Sequence, residues 1–266
     1  MQTGMLGNNE SLRVLLQGPI SDLFVKLNGE KGQEVLTELN KFNRQEPCWV
    51  PKQEKTQIEE SPHIPTLRST GHTLADWLKA REELHRFFIG ELVILRDLFS
   101  LTDEELASTT LMPAFRPAGA TNRHAIEWKL KMGENKPYEE TDVMKYTNSK
   151  GQKEPELYLI NRSVKPDDDT LSDYAKSPDQ LVKIQNKLWL GLFGWCDADT
   201  MHHVVTGEHL DPETWTWFPE DRLRGGEVAY GYWHPGYRKV YLYWSYAGSC
   251  NPSYGARSAK KVPLRS

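Results

Sequence analysis

The segment Val240-Tyr241-Leu242-Tyr243-Trp244-Ser245 constrains this chain more than any other. Val240, Leu242 and Trp244 alternate with Tyr241, Tyr243 and Ser245. Successive side chains of a strand point to opposite faces, so this alternation predicts one face in a core and one against solvent. Val228 to Trp233, also rich in β-formers and bounded by glycine and proline, predicts a second strand. The outward set would be two tyrosines and a serine. Tyrosine supplies a large, stiff contact area with a polar tip, and serine and asparagine add adaptable hydrogen bonds, the chemistry of antibody binding loops. The plainer alternative is an ordinary β domain with half-buried tyrosines.

A length of 266 residues suits one large or two modest domains. Lys+Arg 33 against Asp+Glu 37 gives a formal net charge of −4, so no global positive field gathers nucleic acid or anionic lipid. No run reaches the roughly 18–20 apolar residues of a membrane span, and residues 1–20 lack the layout of a secretion signal. The expectation is a cytoplasmic protein with no membrane span and no nucleic-acid partner. The 3 cysteines, Cys48, Cys196 and Cys250, are too scattered for a disulfide framework.

Residues 10–45 carry apolar stripes at three-to-four spacing, broken at Gly18-Pro19, which predicts an N-terminal helical segment over 1–46. Pro47, Pro51, Pro62 and Pro65 make 47–72 a proline-rich linker or arm. From Thr73, a plausible cap, an amphipathic pattern runs from Leu74 to Phe99, and Thr102 with Glu105 forms a capping box, giving a helical segment over 73–112. That stripe could bury against its own chain or a partner, and the N-terminal helices could join copies into a homo-oligomer. Past Pro113 the texture changes. Glu156 to Ile160 reads as a strand, Lys165 to Asp169 as an acidic turn, and Leu171–Ala175 and Asp179–Leu188 as short helices, the second capped by Ser177. The fold class predicted is α+β.

The tyrosine, serine and asparagine palette continues through Ser245-Tyr246-Ala247-Gly248-Ser249-Cys250-Asn251-Pro252-Ser253-Tyr254, ahead of Gly255-Ala256-Arg257. Here the chain resembles the variable proteins of diversity-generating retroelements, which have a C-type-lectin-like fold. The resemblance implies that Gly255-Ala256-Arg257 corresponds to a Gly-Phe-Arg-like strand anchoring the variable loop, with Ala256 standing where an aromatic residue is usual. Arg222-Leu223-Arg224-Gly225-Gly226 is similar to an Arg-Gly-Gly step of this fold and of its formylglycine-generating relatives. Diversification of AAC codons reaches Tyr, Ser, Asn, His, Asp, Cys, Gly and Ala, and Tyr241, Tyr243, Ser245, Tyr246, Ser249, Cys250, Asn251, Ser253 and Tyr254 all fall in that set. The resemblance implies a C-type-lectin-like domain over 113–266 that recognises a protein or glycan ligand through Tyr232, His234, Tyr237, Tyr241, Tyr243, Ser245, Tyr246, Ser249, Asn251, Ser253 and Tyr254.

Catalytic and metal readings have less support. Cys196, Asp197, Asp199, His202, His203, His209 and Asp211 crowd one window, but no CxxC or HExxH spacing occurs. The expectation is a helix start with Asp199 near its cap, His202 and His203 at the surface, and neither metal nor cofactor. A formylglycine-generating type of oxidase needs paired cysteines, whereas Cys250 stands alone with only His234 as a nearby base. Acid pairs drawn from Glu208, Asp211, Glu213, Glu220 and Asp221 sit in a turn-rich stretch, where carboxylates are usually solvated. No GxGxxG, Walker A or GxSxG motif is present. A non-catalytic display protein is therefore expected, with an enzyme on the same fold or a structural interaction protein as alternatives.

Overall fold

A computed structural model describes residues 72–139, 143–144 and 151–265, with Gln33, Leu36, Thr37, Asn40 and Asn43 helical and exposed in the N-terminal segment. The chain divides into two units, Met1–Ser61 and Pro62–Ser266. The remaining expectations for residues 10–70 lie outside the described residues. All that follows concerns the second unit, an α+β arrangement. No helix among the described residues is long and apolar enough to cross a membrane.

Helix α1, Leu74–Ile89, begins at a reciprocal capping box in which Thr73 and Asp76 satisfy each other's backbone N–H groups. It stops at Gly90, whose φ of 87° is the left-handed conformation that ends helices. The amphipathic pattern to Phe99 is thus interrupted, and only Leu95–Leu98 resumes as a short helix, α2. The Glu82 carboxylate holds the return by accepting from the Leu95 N–H at 2.7 Å. Helix α3, Asp103–Ala107, starts at the expected Thr102–Glu105 capping box. Helix α4 is Asn122–Lys131, α5 is Pro178–Leu181 behind Ser177, and α6 is Leu192–Thr206.

Strands β1 (Leu111–Arg116), β3 (Glu156–Asn161), β4 (Leu188–Trp189) and β9 (Ser258–Val262) form a four-stranded antiparallel sheet in the order β1-β3-β9-β4. Pro113 is tolerated in β1 because that strand lies at the sheet edge. Strands β2 (Tyr138–Glu139), β5 (Trp215–Arg222), β6 (Val228–His234), β7 (Lys239–Ser245) and β8 (Tyr254–Gly255) form a five-stranded sheet in the order β2-β7-β6-β5-β8. The β5, β6 and β7 pairs are antiparallel, whereas β2 joins β7 and β8 joins β5 in parallel. Pro219 falls where the β5–β6 register shifts, a position that needs no ladder donor. Strands β3, β6 and β7 coincide with the expected runs to within one residue at each end.

The segments expected separately as 73–112 and 113–266 share one core. Trp77, Leu84 and Phe88 of α1 join Trp195, Met201, Val240 and Leu242 in one buried cluster, and Leu74, Leu78, Leu95 and Phe99 join Phe115, Leu157, Leu159 and Val262 in another. The apolar stripe from Leu74 is therefore buried within its own unit, apart from exposed Ile89, Leu92, Ile94 and Leu98.

Helix α6 is central. Every residue but His203 and Thr206 is buried, including Asp197, Asp199 and His202. This corrects the expectation of a helix start with Asp199 at its cap: Asp199 lies mid-helix and His202 is enclosed. The reason is cationic partners supplied by distant elements. Arg81 of α1 donates to Asp197 at 2.7 and 3.1 Å, and the Phe115 N–H of β1 donates to the same carboxylate at 2.8 Å. Lys129 of α4 lies 2.5 Å from Asp199. A third buried pair, Arg257 with Asp211 at 2.6 Å, ties the segment before β9 to the loop after α6. Buried charges persist only when paired and hydrogen-bonded, and these pairs fix α1, α4 and the last strand around α6.

Candidate functional site

The five-stranded sheet separates its two faces as the alternation requires. Val240 and Leu242 of β7, Ala229 of β6 and Phe218 of β5 enter the main core. Gly231 permits close packing there, since an added Cβ would meet Leu242 at 3.0 Å and Phe218 at 3.1 Å. Cross-strand partners share a face, and the registers Trp217–Tyr230, Tyr230–Tyr243 and Tyr232–Tyr241 lay aromatic rings side by side on the opposite one, with His234 beside Lys239 at its end. The parallel edges extend the array, Tyr138 beside Tyr241 and Trp215 beside Tyr254.

The rings contact one another continuously. Tyr138 stacks on Tyr241 at 5.2 Å, Tyr241 on Tyr232 at 5.3 Å and on Tyr243 at 5.8 Å, and Tyr243 on Tyr230 at 5.9 Å. Tyr254 joins Tyr230, Trp215 and Trp217, each at 5.0 Å. At the far end His234 meets Tyr237 at 4.6 Å and Tyr241 at 5.4 Å. The Lys239 ammonium sits among Tyr241, Tyr138 and Tyr237 at 5.1, 5.7 and 5.9 Å from their centroids. Near the Trp217 end the face is roofed by Leu181, Trp189 and Ala256, which pack with Trp217 and Val228. Burial raises the phenol pKa of Tyr230 and Tyr232 above the usual tyrosine range, so these rings remain neutral hydroxyl donors.

Tyr232, His234, Tyr237, Tyr241, Tyr243 and Tyr254 thus come together, but not as freely exposed rings. Tyr241 is only 9 % accessible, and Tyr243 and Tyr254 are half-buried, because each ring leans on its neighbours. This corrects the expectation that Tyr241 and Tyr243 of the outward set stand against solvent. Tyr246, at 71 % accessibility, lies apart, touching Trp244 from the core-face set. Ser245 donates to Ser249 at 3.3 Å, and Asn251 accepts from the Ser253 N–H at 2.9 Å. The loop that carries them is pinned to residues 172–179 through Ser172 N–H to Pro252 O at 2.8 Å and Asp179 N–H to Ala247 O at 3.1 Å. Sequence reasoning missed Tyr138, Trp215, Trp217, Tyr230 and Lys239. The Trp-Thr-Trp alternation at 215–217 could have revealed two of them, whereas Tyr138 arrives through a non-local parallel pairing.

A second polar cluster lies on the other side of β6. Glu134, Asp199 and His209 offer ligand atoms within 4.8 Å of one another. Lys129 occupies the cation position, 2.5 Å from Asp199 and 3.4 Å from Glu134. Burial works against the Asp199 charge, but Lys129 and His209 outweigh it and hold the carboxyl below the usual range. Burial also opposes the Lys129 charge, yet its two carboxylate neighbours keep the pKa raised. His209 is clamped between Trp233 at 3.4 Å and His203 at 3.9 Å. Residues 132–135, His203, His209, Trp233, Pro235 and Arg238 line an adjoining pocket of about 690 Å³.

The candidate thiols are placed differently. Burial pushes the Cys196 pKa upward, which disfavours a thiolate. Exposed Cys250 donates to the Ala175 carbonyl at 3.3 Å. Of the surveyed carboxylates, Asp211 is fully buried, and Asp221 accepts from the Leu192 N–H at 2.7 Å, at the start of α6.

Compared with protein families, curated proteins and solved structures, the chain matches none.

Proposed function

We propose that this chain is a non-catalytic display protein whose second unit is C-type-lectin-like, of the kind found in retroelement variable proteins. It meets a macromolecular ligand with the tyrosine face and the loop that follows β7. The single observation that carries this reading is the division of β7. Its inward positions Val240 and Leu242 are fully buried in the core, while Tyr241 and Tyr243 belong to one ring array with Tyr232 and Tyr254. The two sets of β7 thus face different surroundings, the main core on one side and the tyrosine array on the other.

The Gly255-Ala256-Arg257 step supports the same reading. Gly255 has no room for a side chain, since an added Cβ would lie 2.7 Å from Pro166 and 2.8 Å from Thr170. Arg257 donates to the carbonyls of Ser163 and Val164 at 2.7 and 2.8 Å and so anchors the end of the loop. Ala256 is fully buried and packs in one cluster with Trp189 and Trp217.

The test is genomic. The locus should hold a reverse transcriptase and a near-copy of the codons for roughly residues 230–257, differing at adenines. A complete locus with neither would sink the variable-protein reading.

A further inference from the structure

We propose that the open end of the tyrosine face is a subsite for a carboxylate of a protein ligand, with Lys239 as its anchor. The inference rests on the display reading and names the chemistry of the ligand. Lys239 and His234 are cross-strand partners on the ring-lined face. The Lys239 ammonium is surrounded by three tyrosine rings and forms no ion pair among the described residues. His234 Nδ1 is enclosed and also has no hydrogen-bond partner among them. Around Lys239 this face carries His234 and Tyr232 of β6 and Tyr241 and Tyr243 of β7, whereas Glu220 and Arg222 of β5 lie toward its opposite end, where Arg222 pairs with Val228.

A cation–π contact lowers the cost of partly desolvating an ammonium but leaves its charge unneutralised. In a chain of net charge −4 this local excess of positive charge is a site-specific feature. An incoming carboxylate would neutralise Lys239, accept from it in a charge-assisted hydrogen bond, and meet the tyrosine hydroxyls around it.

Ring geometry favours a protein over a glycan as the source. Tyr138 and Tyr241 are 27° from parallel, Tyr232 and Tyr241 22°, and Tyr241 and Tyr243 15°. Rings stacked this way cover one another's faces and present edges and hydroxyls. A sugar would need an open ring face for its axial C–H groups, whereas an acidic side chain needs the ammonium and the hydroxyls.

The test uses the full chain with ¹³C-labelled tyrosine rings. The probes are capped hexaglutamate, its neutral isostere hexaglutamine, and hexagalacturonate. Hexaglutamate should shift the signals of Tyr138, Tyr237 and Tyr241, bind about tenfold or more tightly than hexaglutamine, and weaken with added salt. Lys239→Met should remove that preference and Lys239→Arg should retain it. Equal binding of hexaglutamate and hexaglutamine by the native chain overturns the proposal, as does no shift at all, and this comparison needs no variant to fold. Preference for hexagalacturonate overturns the protein ligand in favour of an acidic glycan. If the carboxylate preference fails while the locus carries the retroelement, the anchor falls and the display reading stands.

Discussion

Arg257 Nη2 lies 2.6 Å from Asp211 Oδ1, with the two side chains 2 % and 0 % accessible. Asp211 also accepts from Trp195 Nε1 at 2.7 Å and Thr216 Oγ1 at 2.6 Å, so one carboxylate ties together α6, β5 and the approach to β9. Removing one partner of such a pair strands the other charge. Arg257→Met and Asp211→Asn should each lower unfolding stability by about 3–5 kcal/mol in urea titrations. A loss below 1 kcal/mol in both would show that the pair is not a structural anchor.

Lys129 answers the metal question in the same terms. Its ammonium fills the space between Asp199 and Glu134, so EDTA should leave the melting temperature of the native chain unchanged. Lys129→Ala should lose stability, and added Zn²⁺ should restore part of it, because Glu134, Asp199 and His209 remain within 4.8 Å of one another. A fall of several degrees when the native protein meets EDTA would contradict this assignment.

Thermal stability should separate three kinds of position around β7. Leu242→Ala removes a side chain with no accessible surface and should cost about 2–5 kcal/mol. Tyr241→Ser should also be damaging, because its ring is enclosed by Tyr138, Tyr232 and Tyr243. Tyr246→Ser, at an exposed position, should stay within about 0.5 kcal/mol of the native chain. If Tyr241→Ser proved as harmless as Tyr246→Ser, the ring array would not be packed as described.

Acid should weaken the fold through its histidines. Burial, helped by Arg81, lowers the His85 pKa to about 4, and burial also lowers those of His202 and His203. A histidine whose folded pKa lies below its unfolded value contributes fully above the unfolded value, near 6.5, and loses that contribution as pH falls toward the folded one. The urea midpoint should therefore decline from pH 7 to pH 4.5. His85 alone should account for on the order of 2 kcal/mol of that loss, and His85→Phe should flatten the curve. A midpoint independent of pH over this range would refute the mechanism.

What the sequence revealed was local. Period-two alternation located β3, β6 and β7, and the caps at Thr73, Thr102 and Ser177 each open a helix. What it hid was set by distant partners. Helix α6 is enclosed on every side and therefore lacks the apolar stripe that marks a surface helix, and its acidic residues resemble a cap until Arg81 and Lys129 are seen to pair with them. The tyrosines of β7 were legible, but their mutual enclosure was not, because it depends on Tyr138 and Trp215 brought in by parallel pairings.

The four-stranded sheet carries a consequence for how the molecule is made. Its order β1-β3-β9-β4 places β9 between strands synthesised long before it, and Phe99 forms a bridge with Leu264. The nascent chain can pair β1 with β3 early, but β3 and β4 have no strand between them until 258–262 has left the ribosome. This high contact order predicts slow closure. During that interval the inner edge of β3 offers unpaired backbone groups, and a chaperone or a neighbouring nascent chain could engage it.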